Sequence, residues 1–189
     1  DGLVDVDGPP LAAGDDAVVG LVLDTTPFYA EAGGQVADTG ILRADGVEFA
    51  VDRVQKFGGF ALHVGRLTKG ELGVGAALTA EVDYKRRRKV APNHTFTHVL
   101  HEQLARVLGP GVAQRGSLVD ADKLRFDFSH NSAMKIAELA EVESRVQAAI
   151  GDGLPVYDDV VPLADAKAIG GLRALFGEAY PDPVRVVSI

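Results

Sequence analysis

The feature that most constrains the fold of this chain is a change of sequence texture near residue 88. Before that point, short β-branched or alternating runs are separated by Gly, Asp and Pro about every ten residues, a pattern typical of an all-β unit. After it, apolar residues recur at helical spacing between further strand-like runs. We therefore predict an α+β chain, with a small antiparallel β-barrel over 1–88 and an α+β domain over 89–189 in which a helix pair packs on a sheet.

The local signals divide in the same way. Asp45-Gly46 predicts a hairpin turn because both residue types tolerate positive φ, and the apolar stripe of 132–151 predicts an amphipathic helix. In the first half, strands are expected within 17–24, 40–55, 59–67 and 75–83. In the second half, we expect a helix from Asn93 to Gly109-Pro110, a strand at 123–129, a helix at 132–151 with the stripe Ile136, Leu139, Val142, Val146 and Ile150, a strand at 154–161, a short helix at 163–170 and a last strand at 184–189.

Composition excludes several classes of protein. The 189 residues include no cysteine, so nothing depends on disulfides and a cytoplasmic location is expected. No run approaches the roughly 20 apolar residues of a membrane span, so no membrane partner is expected. The chain opens with Asp1, its only methionine is Met134 and it closes on a strand-like run. We interpret it as a piece of a longer polypeptide, a processed mature chain being the alternative.

The charge is acidic overall but locally basic. A formal net charge of −8 disfavours a general nucleic-acid binder, so any such contact must be local. One run is a candidate for contact with phosphates, and a solvated surface is the alternative. It consists of Lys85, Arg86, Arg87, Arg88 and Lys89.

Three of the five histidines fall in one predicted helix. His94, His98 and His101 lie within about 60° of one another and away from the apolar residues, so we expect them outside the core stripe. His94 and His98 have the i, i+4 spacing that offers two imidazoles to one metal ion, although zinc needs about four ligands. Thr95 stands where a zinc protease requires Glu, which disfavours that chemistry. A metal-binding pair and a histidine-rich polar face both remain open.

A second candidate site lies in DTTPFYAEAGGQVADTG, residues 24–40. Gly33 and Gly34 permit backbone conformations closed to other residues and let a ligand approach the main chain. Gln35 follows with an amide that both donates and accepts hydrogen bonds. A ligand-binding turn is one interpretation, and an ordinary hairpin turn is the other.

Together these stretches resemble a known family. TPFYAEAGGQVADTG, NHTFTHVLH, QRGSLVDADKLRFDFSH and ALFGEAYPDPVRVVSI occur in that order across essentially the whole chain. They resemble the editing domain of alanyl-tRNA synthetase more than the free-standing AlaX trans-editing proteins. The resemblance implies a β-barrel followed by an α+β domain shared with threonyl-tRNA synthetase. It implies hydrolysis of serine or glycine wrongly esterified to the 3′-terminal adenosine of alanine tRNA, within a parent that is an ATP-dependent ligase.

The resemblance also implies roles for residues. His94 and His98 would bind zinc, and the family's remaining ligands are a downstream Cys and His. This chain has no cysteine, so the site would be incomplete and the chain weak or inactive as a hydrolase. Candidate catalytic residues are Gln35, His94 and His98; candidate substrate-binding residues are Thr25, Thr26, Gly33, Gly34 and Gln35; and the run Lys85 to Lys89 is the candidate for the acceptor end of alanine tRNA.

The chain departs from the family at two positions. Ala32 replaces a usual Ser before the glycine pair, and Phe96 replaces a usual small residue. The first removes a hydroxyl from the expected pocket, and the second is expected to change packing without loss of chemistry. An AlaX-type deacylase and a tRNA-binding module without catalysis are the alternative functions.

Overall fold

The structure, a computed structural model, describes residues 10–14, 17–173 and 180–189. The chain divides into two compact units. The first runs to Thr97 and includes Gly116–Arg125, and the second comprises His98–Arg115 and Phe126–Ile189. The division therefore falls within one long helix and within one hairpin.

The first unit is built on a five-stranded antiparallel sheet. The strands predicted from the sequence are all present, and Gly46, at φ 70°, forms the predicted turn. Among the described residues the sheet is open, with β2 and β7 at its edges, so the predicted closed barrel is not confirmed. The strands are β1 (Leu11–Ala12), β2 (Val19–Val22), β3 (Gly40–Ala44), β4 (Val47–Phe57), β5 (Phe60–Lys69), β6 (Glu71–Leu72) and β7 (Thr79–Val82), with the sheet order β2-β5-β4-β3-β7 and β1 paired with β6.

The core of this unit contains a fully buried histidine, His63, beside Phe28. His63 Nδ1 lies 3.2 Å from the carbonyl oxygen of Leu21, which can only accept, so Nδ1 carries the proton. Nε2 then accepts from the Thr26 hydroxyl at 2.7 Å, and that hydroxyl accepts from the Phe28 amide at 3.1 Å. Both ring nitrogens are satisfied in the neutral form, and burial lowers the pKa of His63.

This burial predicts an acid-sensitive fold. The pKa of His63 is lowered from its ordinary 6.5, so below that pH the unfolded chain takes up a proton that the folded chain refuses. The free energy of unfolding is expected to fall from pH 7.5 to pH 5.5, by at most about 1.4 kcal/mol per pH unit for each such proton. Urea unfolding at both pH values checks this. His63→Gln should reduce the decline, and a decline unchanged in that variant would contradict the assignment.

The second unit combines helices and strands, which confirms the α+β class. Its core joins the C-terminal half of the first helix to the second helix and to one strand, through Leu104, Val112 and Val142 with Phe126 and Phe128 packed against them. The elements are α1 (Tyr84–Leu108), shared with the first unit, β8 (Gln114–Val119), β9 (Leu124–Phe128), α2 (Ile136–Gly151), β10 (Tyr157–Val161), α3 (Leu163–Ala168) and β11 (Val184–Ser188), with β8 paired to β9 and β10 antiparallel to β11.

Helix α1 begins nine residues earlier than predicted, and the prediction of a start at Asn93 is wrong. Asp83 caps the helix, because its side chain accepts from the Arg86 amide at 3.0 Å and its carbonyl from the Arg87 amide at 3.0 Å. The basic run and Pro92 therefore lie inside the helix. The side chain of Asn93 donates instead to the carbonyl oxygen of Asp120 at 2.8 Å.

Two predictions about core stripes are also corrected. On α2, Val142 is buried, but Ile136 is 87% exposed, so the predicted stripe is only partly in the core. On α1, His101 is buried rather than outside the core, with its ring 5.0 Å from that of Phe126 and its Nε2 3.4 Å from the Val112 carbonyl oxygen. Helical spacing predicts the face of the helix on which a residue lies, but it does not show which residues from other segments will pack against that face.

Candidate functional site

The candidate site is centred on the Gly33-Gly34 turn of the first unit. Ala32 and Gln35 face each other across it, and the backbone N–H of Gln35 donates to the Ala32 carbonyl oxygen at 3.0 Å. Gly33 and Gly34 have φ of 58° and 79°, the left-handed values that a two-residue turn of this kind requires at both central positions. The segment is therefore a hairpin turn, and it displays Gln35.

Strand β8 holds this turn in place. The Val119 amide donates to the Gly34 carbonyl at 2.7 Å, and the Val36 amide to the Val119 carbonyl at 3.0 Å. The Ser117 hydroxyl donates to the Gly33 carbonyl at 3.2 Å. A Cβ on Gly34 would lie 2.5 Å from the Ser117 carbonyl oxygen, so this contact requires glycine.

A buried carboxylate, that of Asp38, joins the two sides of the 24–40 loop by hydrogen bonds. Asp38 accepts from the Tyr29 amide at 2.7 Å, and its own amide donates to the Tyr29 carbonyl at 3.0 Å. Arg87 Nε lies 3.0 and 3.2 Å from the two Asp38 carboxylate oxygens, and its Nη2 donates to the Pro27 carbonyl at 2.6 Å. Burial, and then the charge of Asp38, raises the pKa of Tyr29. The first turns of α1 thereby fix the loop that carries Gln35.

Gln35 and His94, 59 positions apart, meet at the turn. Gln35 is buried, and its Oε1 lies 2.7 Å from His94 Nδ1. Because an amide oxygen only accepts, Nδ1 carries the proton and the lone pair is on Nε2. Burial lowers the pKa of His94, which favours the neutral ring at pH 7. The ring lies over the turn, since a Cβ on Gly33 would be 4.0 Å from its Cε1.

Several residues that position this pair were not singled out from the sequence. Ser117 and Val119 hold the turn, Asp120 receives the Asn93 side chain, and the Thr97 hydroxyl donates to the Asn93 carbonyl at 2.9 Å. Their only signal was membership of two stretches that carried part of the family resemblance, QRGSLVD for Ser117, Val119 and Asp120 and NHTFTHVLH for Thr97.

The other candidate substrate and metal residues lie in different environments. Thr26 is half-buried and bonds to His63 and the Phe28 amide, whereas Thr25 is exposed. His98 is exposed and is the first residue of the second unit. The structure therefore brings together Gln35, His94, Gly33 and Gly34, and it commits the Thr26 hydroxyl to His63.

The basic run separates into two faces of α1. Arg86 donates to the Ala37 carbonyl at 2.6 Å, and Arg87 binds Asp38, so both are half-buried and serve the fold. Lys85, Arg88 and Lys89 are exposed and lie on the opposite side of the helix at i, i+3 and i+4.

The described residues do not complete a zinc site. His94 and His98 supply two imidazole donors, whereas zinc takes four ligands, or three and a water. Within 10–14, 17–173 and 180–189, no group of three or more His, Cys, Asp or Glu side chains is placed to hold a metal ion. The chemistry that these residues support directly is that of a neutral imidazole oriented by an amide.

Part of the first unit is similar in sequence to a known family. Residues 11–86 match the family described as tRNA synthetases class II (A), and this region contains Gly33, Gly34 and Gln35. Of the helices in the described part of the chain, none is long and apolar enough to cross a membrane.

A second comparison is more specific. The chain is 52% identical over 171 residues to an alanine--tRNA ligase of Candida albicans. The aligned region covers 90% of this chain and 18% of that protein, so the chain spans about a fifth of its relative's length. The chain is therefore a segment related to alanyl-tRNA synthetase, which confirms the family indicated by its motifs.

Proposed function

We propose that this segment is an editing domain that hydrolyses the ester of serine- or glycine-charged alanine tRNA. The observation that carries the proposal is the His94–Gln35 pair above a glycine turn, in a chain related to an alanine--tRNA ligase. A pocket that selects alanine for attachment to tRNA discriminates weakly against glycine or serine, typically by about 10- to 200-fold. A second, hydrolytic site is therefore needed.

The buried amide of Gln35 accounts for selectivity in this proposal. Its Oε1 is engaged by His94, which leaves the NH₂ group to donate to the serine hydroxyl. Alanine lacks that hydroxyl and would leave a polar group without its partner, which favours rejection. Thr25, whose side chain is exposed, is the second polar candidate, while the Thr26 hydroxyl is bonded to His63.

The proposed reaction is direct attack by water. The water oxygen bonds to the ester carbonyl carbon, the bond to the ribose oxygen breaks, and the water proton passes to that oxygen. His94 Nε2 carries the lone pair that can accept this proton in transit, because Gln35 holds the other nitrogen protonated. Because water attacks the ester directly, the reaction requires no Ser or Cys nucleophile.

We also propose zinc as a cofactor, with His94 and His98 as two of its ligands. The Nε2 lone pair of His94 would then be donated to the metal, so the proton transfer described above applies to the chain without zinc. Bound zinc would supply Lewis acidity to the site. Since the described residues offer only this pair, we expect weak hydrolysis by these 189 residues alone.

The activity test is single-turnover hydrolysis of serine-charged alanine tRNA, by this chain and by a version extended at its carboxyl end. His94→Ala is expected to lower the rate constant by about 10²-fold or more, the usual contribution of a proton-transfer group. Gln35→Ala should lower it by about 10- to 100-fold, the usual loss when a histidine's orienting partner is removed. The matched controls are His130→Ala and Gln147→Ala, whose side chains are exposed.

The same assay separates the possible outcomes. Loss of activity on chelation, restored by added zinc, would support the metal, and activity indifferent to chelation would exclude it. Rates unchanged by His94→Ala and Gln35→Ala would overturn the proposed site. If the extended version binds the tRNA and hydrolyses nothing, a binding module without catalysis replaces the editing proposal.

We propose that the exposed cations of α1 contact the acceptor end of the tRNA. Lys85, Arg88 and Lys89 form a compact basic face whose charges can neutralise phosphates. Arg88→Ala should weaken tRNA binding and reduce the slope of log Kd against log salt concentration by about 1. Titrations at several salt concentrations measure this slope, and an unchanged slope would exclude Arg88 from the contact.

A further inference from the structure

The tip of the β4–β5 hairpin exposes two aromatic rings. Phe57 and Phe60 are 58% and 62% exposed and stand directly opposite each other across the turn. Gly58 and Gly59, at φ 55° and 86°, have the left-handed backbone of a tight two-residue turn. Most large apolar side chains of this sheet are buried or half-buried, so an exposed aromatic pair on a defined turn indicates a contact surface.

A cavity of about 370 Å³ opens beside Phe57. Its lining combines an aromatic ring, an ammonium, a carboxylate, an amide and an aliphatic side chain: Phe57, Lys56, Glu31, Gln55 and Leu62 respectively. This set of groups is unsuited to a purely apolar ligand, because Lys56 and Glu31 would lose water without gaining partners.

The cavity adjoins the candidate site along the chain. The Glu31 amide donates to the Val54 carbonyl at 2.9 Å, which fixes the loop against β4 just before the hairpin tip. The next residue, Ala32, begins the turn that displays Gln35. One wall of the cavity is therefore continuous with the segment that carries Gln35.

We propose that this cavity binds an unpaired nucleotide of the tRNA, an inference that rests on the proposed function. The base stacks on Phe57, as bases of any sequence can on an aromatic face. Lys56 neutralises the adjoining phosphate. Glu31 accepts from ribose hydroxyls, and Gln55 offers hydrogen bonds to the edge of the base. The hairpin thereby guides the single-stranded 3′ end toward the glycine turn.

The test is the binding to this chain of a short single-stranded RNA that ends in the 3′-terminal adenosine and carries no amino acid. Fluorescence anisotropy measures the binding. Phe57→Ala is expected to weaken binding about ten-fold or more, the effect of removing one stacking partner. Phe57→Tyr retains a ring and should stay within about two-fold of the unaltered chain. Tyr157→Ala, which removes a similarly exposed ring (57%) from the second unit, should change nothing.

Failure of this inference can be told from failure of the proposed function, because the probe carries no ester. Weaker binding by Phe57→Ala, without any hydrolysis by the version extended at its carboxyl end, would sustain the nucleotide site and remove the editing proposal. Hydrolysis that depends on His94, with RNA binding and KM unaffected by Phe57→Ala, would overturn the nucleotide site alone. No binding of the RNA by the unaltered chain would also overturn it.

Discussion

Gly34→Ala is expected to lower the free energy of unfolding by about 3 kcal/mol or more. Part of this cost is backbone strain, because Gly34 has φ 79° and a residue with a Cβ loses about 1–2 kcal/mol in that region. The larger part is steric, since the new Cβ would lie 2.5 Å from the carbonyl oxygen of Ser117 and 2.8 Å from its carbonyl carbon. Urea unfolding monitored by circular dichroism measures the total.

Gly46→Ala is the matched control for this variant. Gly46 has φ 70°, but a Cβ there meets nothing within 4 Å, so only the strain of about 1–2 kcal/mol is expected. The difference between the two variants measures the close approach of the turn to β8. Equal losses would show that the Gly34–Ser117 contact does not constrain the fold. Because the same contact positions Gln35, Gly34→Ala should also reduce the hydrolysis proposed above.

Arg87→Ala is expected to destabilise the protein by about 2–3 kcal/mol. Removing Arg87 leaves the Asp38 carboxylate, whose side chain is 6% exposed, without its cationic partner, and it also removes the donor to the Pro27 carbonyl. The Arg87 side chain is 26% exposed, so we expect a loss at or below the lower end of the roughly 3–5 kcal/mol found when buried ion pairs are broken. Chemical denaturation at pH 7 provides the measurement.

Arg88→Ala supplies the comparison, since Arg88 is the next residue on the same helix and is exposed. Its stability should stay within about 0.5 kcal/mol of the unaltered chain. Arg87→Lys keeps the charge but not the forked geometry, and should fall between the two. If Arg87→Ala were as stable as Arg88→Ala, the Arg87–Asp38 ion pair would not be what stabilises the 24–40 loop.

The difference between Arg87 and Arg88 also shows where sequence reasoning reached its limit. Five adjacent basic residues predict one charged surface, and composition contains no sign that the run lies within a helix. Once Asp83 caps that helix, residues at 86 and 87 turn toward the loop and those at 85, 88 and 89 turn to solvent. The predicted helix start at Asn93 placed the basic run outside the helix and so concealed this division.

His101 is a second residue whose environment could not be predicted from the sequence. Its helical angle correctly grouped it with His94 and His98, but its burial depends on Phe126 and Val112, which come from distant segments. Of the three grouped histidines, one is buried against these residues, one is exposed and one is hydrogen-bonded to Gln35. Spacing on a helix therefore located the residues without distinguishing their roles.

What the sequence by itself determined is much of what depends on neighbours along the chain. Alternation and helical periodicity identified most of the strands, α2 and the α+β class, and paired glycines identified the turn before Gln35. They did not identify β1, β6 or β8. Only the tertiary structure decided that His94 donates to Gln35 across 59 positions, that Arg87 neutralises Asp38, and that Thr26 serves His63. These contacts arise from packing between segments whose separation in sequence carries no information about their distance in space.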